Sequence, residues 1–296
     1  MRFIRRQLKS VGKATVLLVA GALAGCGADT PDFDDPELKC NGLVELCDRP
    51  LDQVVFARSH NSHASQEAGY DVVNWNHYFG VPRQLADGIR SLNFDVYHEN
   101  GETLLCHGLC VFASQLAVEG LAEIMAFLED HRNEVVLLDL QNETTLEHTL
   151  AAFDESGLPG YAHTQLPGEP WPTLREMIRA DRRLVVFSDR EDAAPGWYHA
   201  TDDFVYGNDW AFEAPEDLNC TLTGAPIPHG LLEITHVLTN PLASPDNAEL
   251  INHNPFLRDR IDGCISELGR LPTMISVDFY SIGDVLQVVH DLNLAQ

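Results

Sequence analysis

The sequence predicts an α/β protein built as a single distorted (β/α)8 barrel of the TIM type, and three observations lead there. Short apolar runs alternate with helical apolar patterns along most of the chain. The run Val135-Val136-Leu137-Leu138 is apolar on both faces, which suits a parallel strand covered by helices. Four of the expected strands end in clustered polar residues, the arrangement that builds a site on the C-terminal rim of a barrel.

The first elements concern export. Arg2, Arg5, Arg6, Lys9 and Lys13 precede an apolar run over 14–24, followed by Leu23-Ala24-Gly25-Cys26. A charged start, a short apolar stretch and a small-residue end form a secretory signal, too short to span a bilayer, which needs roughly 20 residues. Cysteine directly after Leu-Ala-Gly resembles the lipobox of bacterial lipoproteins. The expectation is a signal peptide over 1–25, a lipid on Cys26, and a protein tethered to the membrane of a bacterial cell envelope. Residues 26–39 are acidic, carry Pro31 and Pro36, and read as a linker; the barrel is expected over 40–296.

Within the barrel, apolar runs at 53–57, 89–97, 135–141, 184–188, 231–237 and 274–279 read as strands. A further strand at 204–206 is expected inside 190–230, a segment rich in Gly, Pro and Asp. Leu121, Ile124, Met125 and Leu128 fall on one helical face, as do Ile282, Val285, Leu286 and Val289. An open doubly wound sheet is the alternative, but no glycine-rich phosphate loop follows any strand.

Composition sets the partners. The chain carries 45 Asp plus Glu against 19 Lys plus Arg, and removal of the signal leaves a net charge of −31. Such a surface repels phosphate backbones and excludes nucleic-acid binding, so an anionic substrate must be captured locally. Besides Cys26 there are six cysteines, an even number that favours disulfides in an exported protein. Local spacing suggests Cys40–Cys47 and Cys106–Cys110, leaving Cys220–Cys264. Zinc held by Cys106, Cys110 and His107 is the weaker reading, because a histidine between them must turn back toward the same ion.

The strand ends supply the chemistry. They read Ser59-His60-Asn61-Ser62, Asn93-Phe94-Asp95-Val96-Tyr97, Asp139-Leu140-Gln141-Asn142 and Ser276-Val277-Asp278-Phe279. His107 lies in Cys106-His107-Gly108-Leu109-Cys110, where a small disulfide loop fixes its ring. Two histidines on one rim can act as general base and general acid in phosphoryl displacement by a hydroxyl.

These segments, with Gln84-Leu85-Ala86-Asp87-Gly88-Ile89-Arg90, Glu134-Val135-Val136-Leu137-Leu138-Asp139-Leu140 and Val277-Asp278-Phe279-Tyr280, together resemble the X-domain of phosphatidylinositol-specific phospholipase C over roughly residues 50–293. The exported PLC-like phosphodiesterases are the subgroup it is most similar to. The resemblance implies a phosphoric diester hydrolase or lyase acting on an inositol phospholipid or related headgroup. It makes His60 the general base, His107 the general acid, Asp278 the partner that orients His60, and Asp95 a buttress of His107 or a metal ligand. The chain departs from the pattern at Tyr97, where metal-independent relatives carry an arginine for the phosphate. Calcium-dependent relatives use positions matching Asn61, Asn93, Asp95 and Gln141; with one carboxylate among them, either no cofactor or a weakly bound Ca²⁺ is expected. Arg58 is then the candidate to offset the phosphate charge, Asp189 to hold substrate hydroxyls, and Arg90 to anchor the barrel by a salt bridge. His63, His77 and His98 read as loop or rim residues, with His63 near the pocket. The rival functions are a noncatalytic envelope binding lipoprotein and a phosphodiesterase for glycerophosphodiester or sphingomyelin-type substrates.

Overall fold

The computed structural model describes residues 32–190, 194–210 and 212–295. The expected signal peptide and lipidated Cys26 lie outside them. Eight parallel strands form one curled sheet, β1 (Phe56–Ser59), β2 (Ser91–Glu99), β5 (Val136–Asn142), β6 (Leu184–Ser188), β7 (Tyr198–Ala200), β8 (Val205–Gly207), β9 (Leu231–His236) and β10 (Met274–Val277). Their order is β7-β6-β5-β2-β1-β10-β9-β8. An antiparallel pair, β3 (Glu102–Leu105) and β4 (Gln115–Leu116), hangs on the outer end of β2.

The barrel is distorted because β7 and β8 stand at the two ends of this order and do not pair. Only α5 (Thr201–Phe204) joins them. A parallel crossover needs about a dozen residues, so a four-residue link cannot carry β8 alongside β7 and the wall stays open there. Longer helices make most of the other crossings, α1 (Val81–Asp87), α2 (Ala117–Asp130), α3 (Leu146–Ser156), α4 (Leu174–Arg179), α6 (Pro245–Ile251) and α7 (Phe256–Leu268), and α8 (Val285–Leu294) follows the last strand.

The two-residue strand period sorts the side chains. Outward-facing Ala57, Leu92, Phe94, Leu138, Val186, Ile275 and Val277 pack on Leu85, Leu121, Ile124 and Val288 of the helices. Inward-facing Phe56, Leu137, Val185, Phe187, Leu231 and Met274 close the N-terminal end with Trp171 and Leu174. Each such Leu or Phe stabilises the fold by about 1.5–3 kcal/mol. Further along the same inward rows the residues become polar, and pairing sets their level. Asn93 lies opposite Asp139 and Asp95 opposite Gln141, while Arg58 is level with Ser276.

Three expectations change. The first strand begins at Phe56 rather than 53, because Leu51–Gln53 is a 3-10 turn and both backbone groups of Val55 are taken by the Asn293 side chain. The last helix starts at Val285, leaving Ile282 outside it. Residues 32–38 of the expected linker are docked, not free: Phe33 and Leu38 pack on the lower core, and Arg179 pairs with Asp34. Disulfides join Cys40–Cys47, Cys106–Cys110 and Cys220–Cys264. No helix among the described residues is long and apolar enough to cross a membrane.

Candidate active site

A cavity of about 770 Å³ opens at the C-terminal ends of the strands, with His60, Asn61, Asn93, Asp95, Tyr97, His107, Gln141, Asp189 and Asp278 in its wall. Local folding aims the two histidines into it. After β1 the chain turns through Asn61, whose φ of 48° is tolerated by Asn better than by most residues. The turn is stitched to β2 by Ser62 N–H to Asn93 O and Asn93 N–H to Ser62 Oγ, at 2.8 and 2.9 Å. Gln84 of α1 donates to Ser62 O at 2.8 Å and fixes the same turn from outside.

His60 Nδ1 lies 3.0 Å from Asp278 Oδ1, because β10 pairs directly with β1. Asn76 Nδ2 donates to the same carboxylate oxygen at 2.7 Å, and His77 Nε2–H donates to His60 O at 2.7 Å. These contacts leave His60 Nε2 as the free ring nitrogen. Burial opposes a charge on His60, but Asp278, through its charge and its hydrogen bond, holds the imidazole pKa above the ordinary value. Asp278 is likewise desolvated, yet the His60 charge and the bonds from His60 and Asn76 keep its carboxyl below the usual range.

His107 is fixed differently. Its Nδ1–H donates to Asn74 O at 3.0 Å, and its Nε2 lies 3.2 Å from Asn61 Nδ2. Gly108 follows at φ 78° and lets the chain turn inside the Cys106–Cys110 loop. Burial pushes the His107 pKa down; the Asn74 carbonyl pulls the other way and the His60 charge adds to the fall.

Other expected site residues stand elsewhere or act otherwise. Asp95 does not reach His107, whose partners are Asn74 and Asn61; it faces His60 electrostatically instead. Burial pushes its carboxyl up to about 7, against the pull of His60 and with the push of Glu143, Asp189 and Asp139. Arg58 lines the cavity, but its guanidinium is bound by Asp139 and lies 3.2 Å from Glu233, so its charge is already spent on two carboxylates. Asp189 Oδ1 accepts from Asn142 N–H at 2.8 Å. Arg90 pairs with Glu134 at 2.7 Å, outside the cavity. His63 packs edge-on against Tyr70 and Phe94 and is absent from the wall, and burial pushes its pKa down to about 3. His77 is fully buried rather than a rim residue.

The residues matching a calcium site do not fit that ion. Three of the four are neutral amides, Asn93 Oδ1 already accepts from Asn61 N–H at 3.0 Å, and Asn61 and Gln141 are turned by their nitrogens to His107 and Glu143, so Asp95 is the one anionic ligand of the set. Calcium takes six or more oxygens at about 2.4 Å. No group of three His, Cys, Asp or Glu among the described residues is arranged to hold a metal.

Sequence reasoning missed Asn76 and Glu233. Asn76 lies in an irregular loop with no pattern to mark it. Glu233 sits inside Leu-Leu-Glu-Ile-Thr-His, where a lone acid on the inward face was the available signal.

The PI-PLC X family model matches residues 46–293. The chain belongs to the PI-PLC X domain family. Among relatives it is 27% identical over 280 residues to a PI-PLC X domain-containing protein of Arthroderma benhamiae, covering 87% of this chain and 90% of that one. An uncharacterised secreted protein of the same fungus is 27% identical, over 95% of this chain and 70% of its own. A PI-PLC X domain-containing protein of Arabidopsis thaliana is 25% identical over 82% of this chain, which spans only 62% of that relative. Two structures of phosphatidylinositol-specific phospholipase C from Staphylococcus aureus share the PI-PLC X fold, with TM-scores of 0.54 and 0.58 at 15% and 14% identity. They cover 83% of this chain and 95% and 94% of theirs.

Proposed function

We propose that the protein cleaves a phosphodiester in the manner of a phospholipase C, without a metal, using His60 and His107 as a general acid/base pair. The observation that carries this is that two imidazoles line one cavity with their Nδ1 atoms engaged, by Asp278 and by Asn74 O; His60 Nε2 is free, and His107 Nε2 has only the Asn61 side-chain amide beside it, which the leaving oxygen replaces on binding. His60 Nε2 takes the proton of an attacking hydroxyl, from the substrate or from water, as its oxygen bonds to phosphorus. The phosphorus–oxygen bond to the leaving group breaks, and His107 Nε2–H supplies that oxygen with a proton.

A lipid substrate is supported by the rim. Val72, Val73, Leu109, Val111 and Phe112 are each more than half exposed, on two loops joined by the His107–Asn74 hydrogen bond. Isolated exposed apolar residues are ordinary, whereas five beside a catalytic loop suit contact with a lipid surface. Export is supported by three disulfides and by the relative named as a secreted protein. The lipid anchor at Cys26 rests on the sequence.

The test is release of phosphorylated headgroup from phospholipid vesicles, measured with calcium and with a chelator. Activity is expected under both conditions, and His60→Ala and His107→Ala are each expected to lower kcat at least about 100-fold with the fold intact. Full turnover in either variant overturns the pair, and loss of activity in chelator overturns the metal-free reading.

A further inference from the structure

The cavity wall contains six carboxylates, Asp95, Asp139, Glu143, Asp189, Glu233 and Asp278, against one arginine. Asp139 and Glu233 take up Arg58, and Asp278 takes up His60. Asp95, Glu143 and Asp189 remain outside these ion pairs, Asp95 midway along β2 and the other two just past the ends of β5 and β6; Glu143 accepts from the neutral Gln141, and Arg190, outside the wall, acts on Asp189 only as its weakest charge influence. Asp95 stands level with Gln141, two residues before Glu143, and Asp189 is tied to Asn142 by its backbone bond. This edge adjoins the one formed by β1 and β10, where His60 and Asp278 stand, with Asp95 the acid nearest to it electrostatically.

Asp95 gives a second, separate indication. It is 2% exposed, yet its Oδ1 has no hydrogen-bond partner although the residue faces the cavity. A buried acceptor left without a donor is rare and points to a donor arriving with a ligand.

We infer that this edge is a subsite for an organic cation, and that the substrate is a phosphodiester whose headgroup carries an ammonium group held against Asp95, Glu143 and Asp189. The inference deepens the phosphodiesterase reading and rests on it. A phosphodiester monoanion with an uncharged headgroup enters an already negative cavity at an electrostatic cost, whereas a zwitterionic ester enters neutral, with its positive end on the acidic edge. An ammonium group fits better than a metal ion, because these carboxylates line a wall and do not converge on a point: among the described residues no three acids or histidines are placed to hold a metal. Tyr97, on the same edge, adds an aromatic face of the kind that accepts alkylammonium groups.

The test compares three glycerophosphodiesters of similar size with the full chain at fixed ionic strength. Their headgroups are trimethylammonioethyl, aminoethyl and uncharged hydroxyethyl. The aminoethyl ester, whose N–H groups can satisfy Asp95 Oδ1, is expected to exceed the uncharged one in kcat/KM by about tenfold, and the trimethylammonioethyl ester, which brings the charge without a donor, to fall between them. Glu143→Gln and Asp189→Asn, both at exposed positions, are expected to reduce that ratio about threefold each, and together to bring it close to one. Equal rates on all three esters, or a ratio the double variant leaves unchanged, overturn the subsite while phosphodiester cleavage stands. Calorimetry with methylammonium chloride, against sodium chloride as control, reads the subsite without turnover. Binding that the double variant loses supports the subsite even if no ester is cleaved, and in that case the cleavage reading is what fails. Absence of binding overturns the subsite. Calcium chloride binding at this edge, lost in the double variant, assigns the wall to a metal and overturns it as well.

Discussion

His60 and His107 are the same side chain in opposite electrostatic settings. Asp278 raises one, and burial lowers the other. Cleavage by the proposed pair needs one imidazole neutral and one protonated. Below the lowered pKa of His107 both rings carry protons and no base remains; above the raised pKa of His60 both are neutral and no acid remains. The plateau of kcat/KM against pH is therefore expected to be wider than two ordinary histidines give, with His107 setting the acid limb and His60 the alkaline limb. Asp278→Asn removes the charge that holds His60 up, so the alkaline limb is expected to move to lower pH, and by more than the acid limb, because His107 feels the same charge only as its smallest influence. Rate profiles of the two proteins check this, and an unmoved alkaline limb counts against the His60–Asp278 assignment. In the free site the proton favours His60, the ring assigned as base, so the phosphate anion must help His107 hold its proton in the complex.

At the scale of elements, the three disulfides do unequal work. Cys220 and Cys264 are 44 residues apart, and closing such a loop removes about 4 kcal/mol of unfolded-state freedom, against about 2 kcal/mol for the four-residue separation of Cys106 and Cys110. Yet the shorter loop carries His107. Replacing Cys106 and Cys110 by serine is expected to lower activity about tenfold or more for a small loss in Tm, because a ring misplaced by a fraction of an ångström loses its alignment. Replacing Cys220 and Cys264 is expected to do the reverse, and paired melting and rate measurements check the contrast. Elements were legible in the sequence where an apolar period was long: β2, β5, β6, β9, β10 and α2 follow from it. The three-residue β7 was not, because it lies among glycines and prolines with too few residues to show a period. At the site, polar strand ends marked His60, Asp95 and Asp278, whereas the commitment of Arg58 to Asp139 and Glu233 depends on three strands meeting across a barrel and leaves no trace in any one of them.

For the whole molecule, net charge and the apolar rim act in opposite directions on a lipid surface. The full sequence carries a formal charge of −26, so approach to an anionic bilayer is opposed over the screening length of about 8 Å at physiological salt. The exposed Leu109, Val111 and Phe112 favour insertion whatever the lipid charge. Partitioning onto vesicles is therefore expected to be strongest on zwitterionic lipid, to weaken as anionic lipid is added, and to recover as salt is raised, the opposite salt response to that of a basic peripheral protein. Replacing Val111 and Phe112 by serine removes apolar contact worth about 1.5–3 kcal/mol each when fully buried, so it is expected to weaken binding about tenfold to a hundredfold, allowing for partial insertion. Turnover of soluble phosphodiesters is expected to fall far less, because neither side chain lines the cavity. Sedimentation of the two proteins with vesicles of graded charge measures both effects. Binding that rises with anionic lipid and falls with salt would mean that a local basic contact, and not the apolar rim, brings this acidic protein to its substrate.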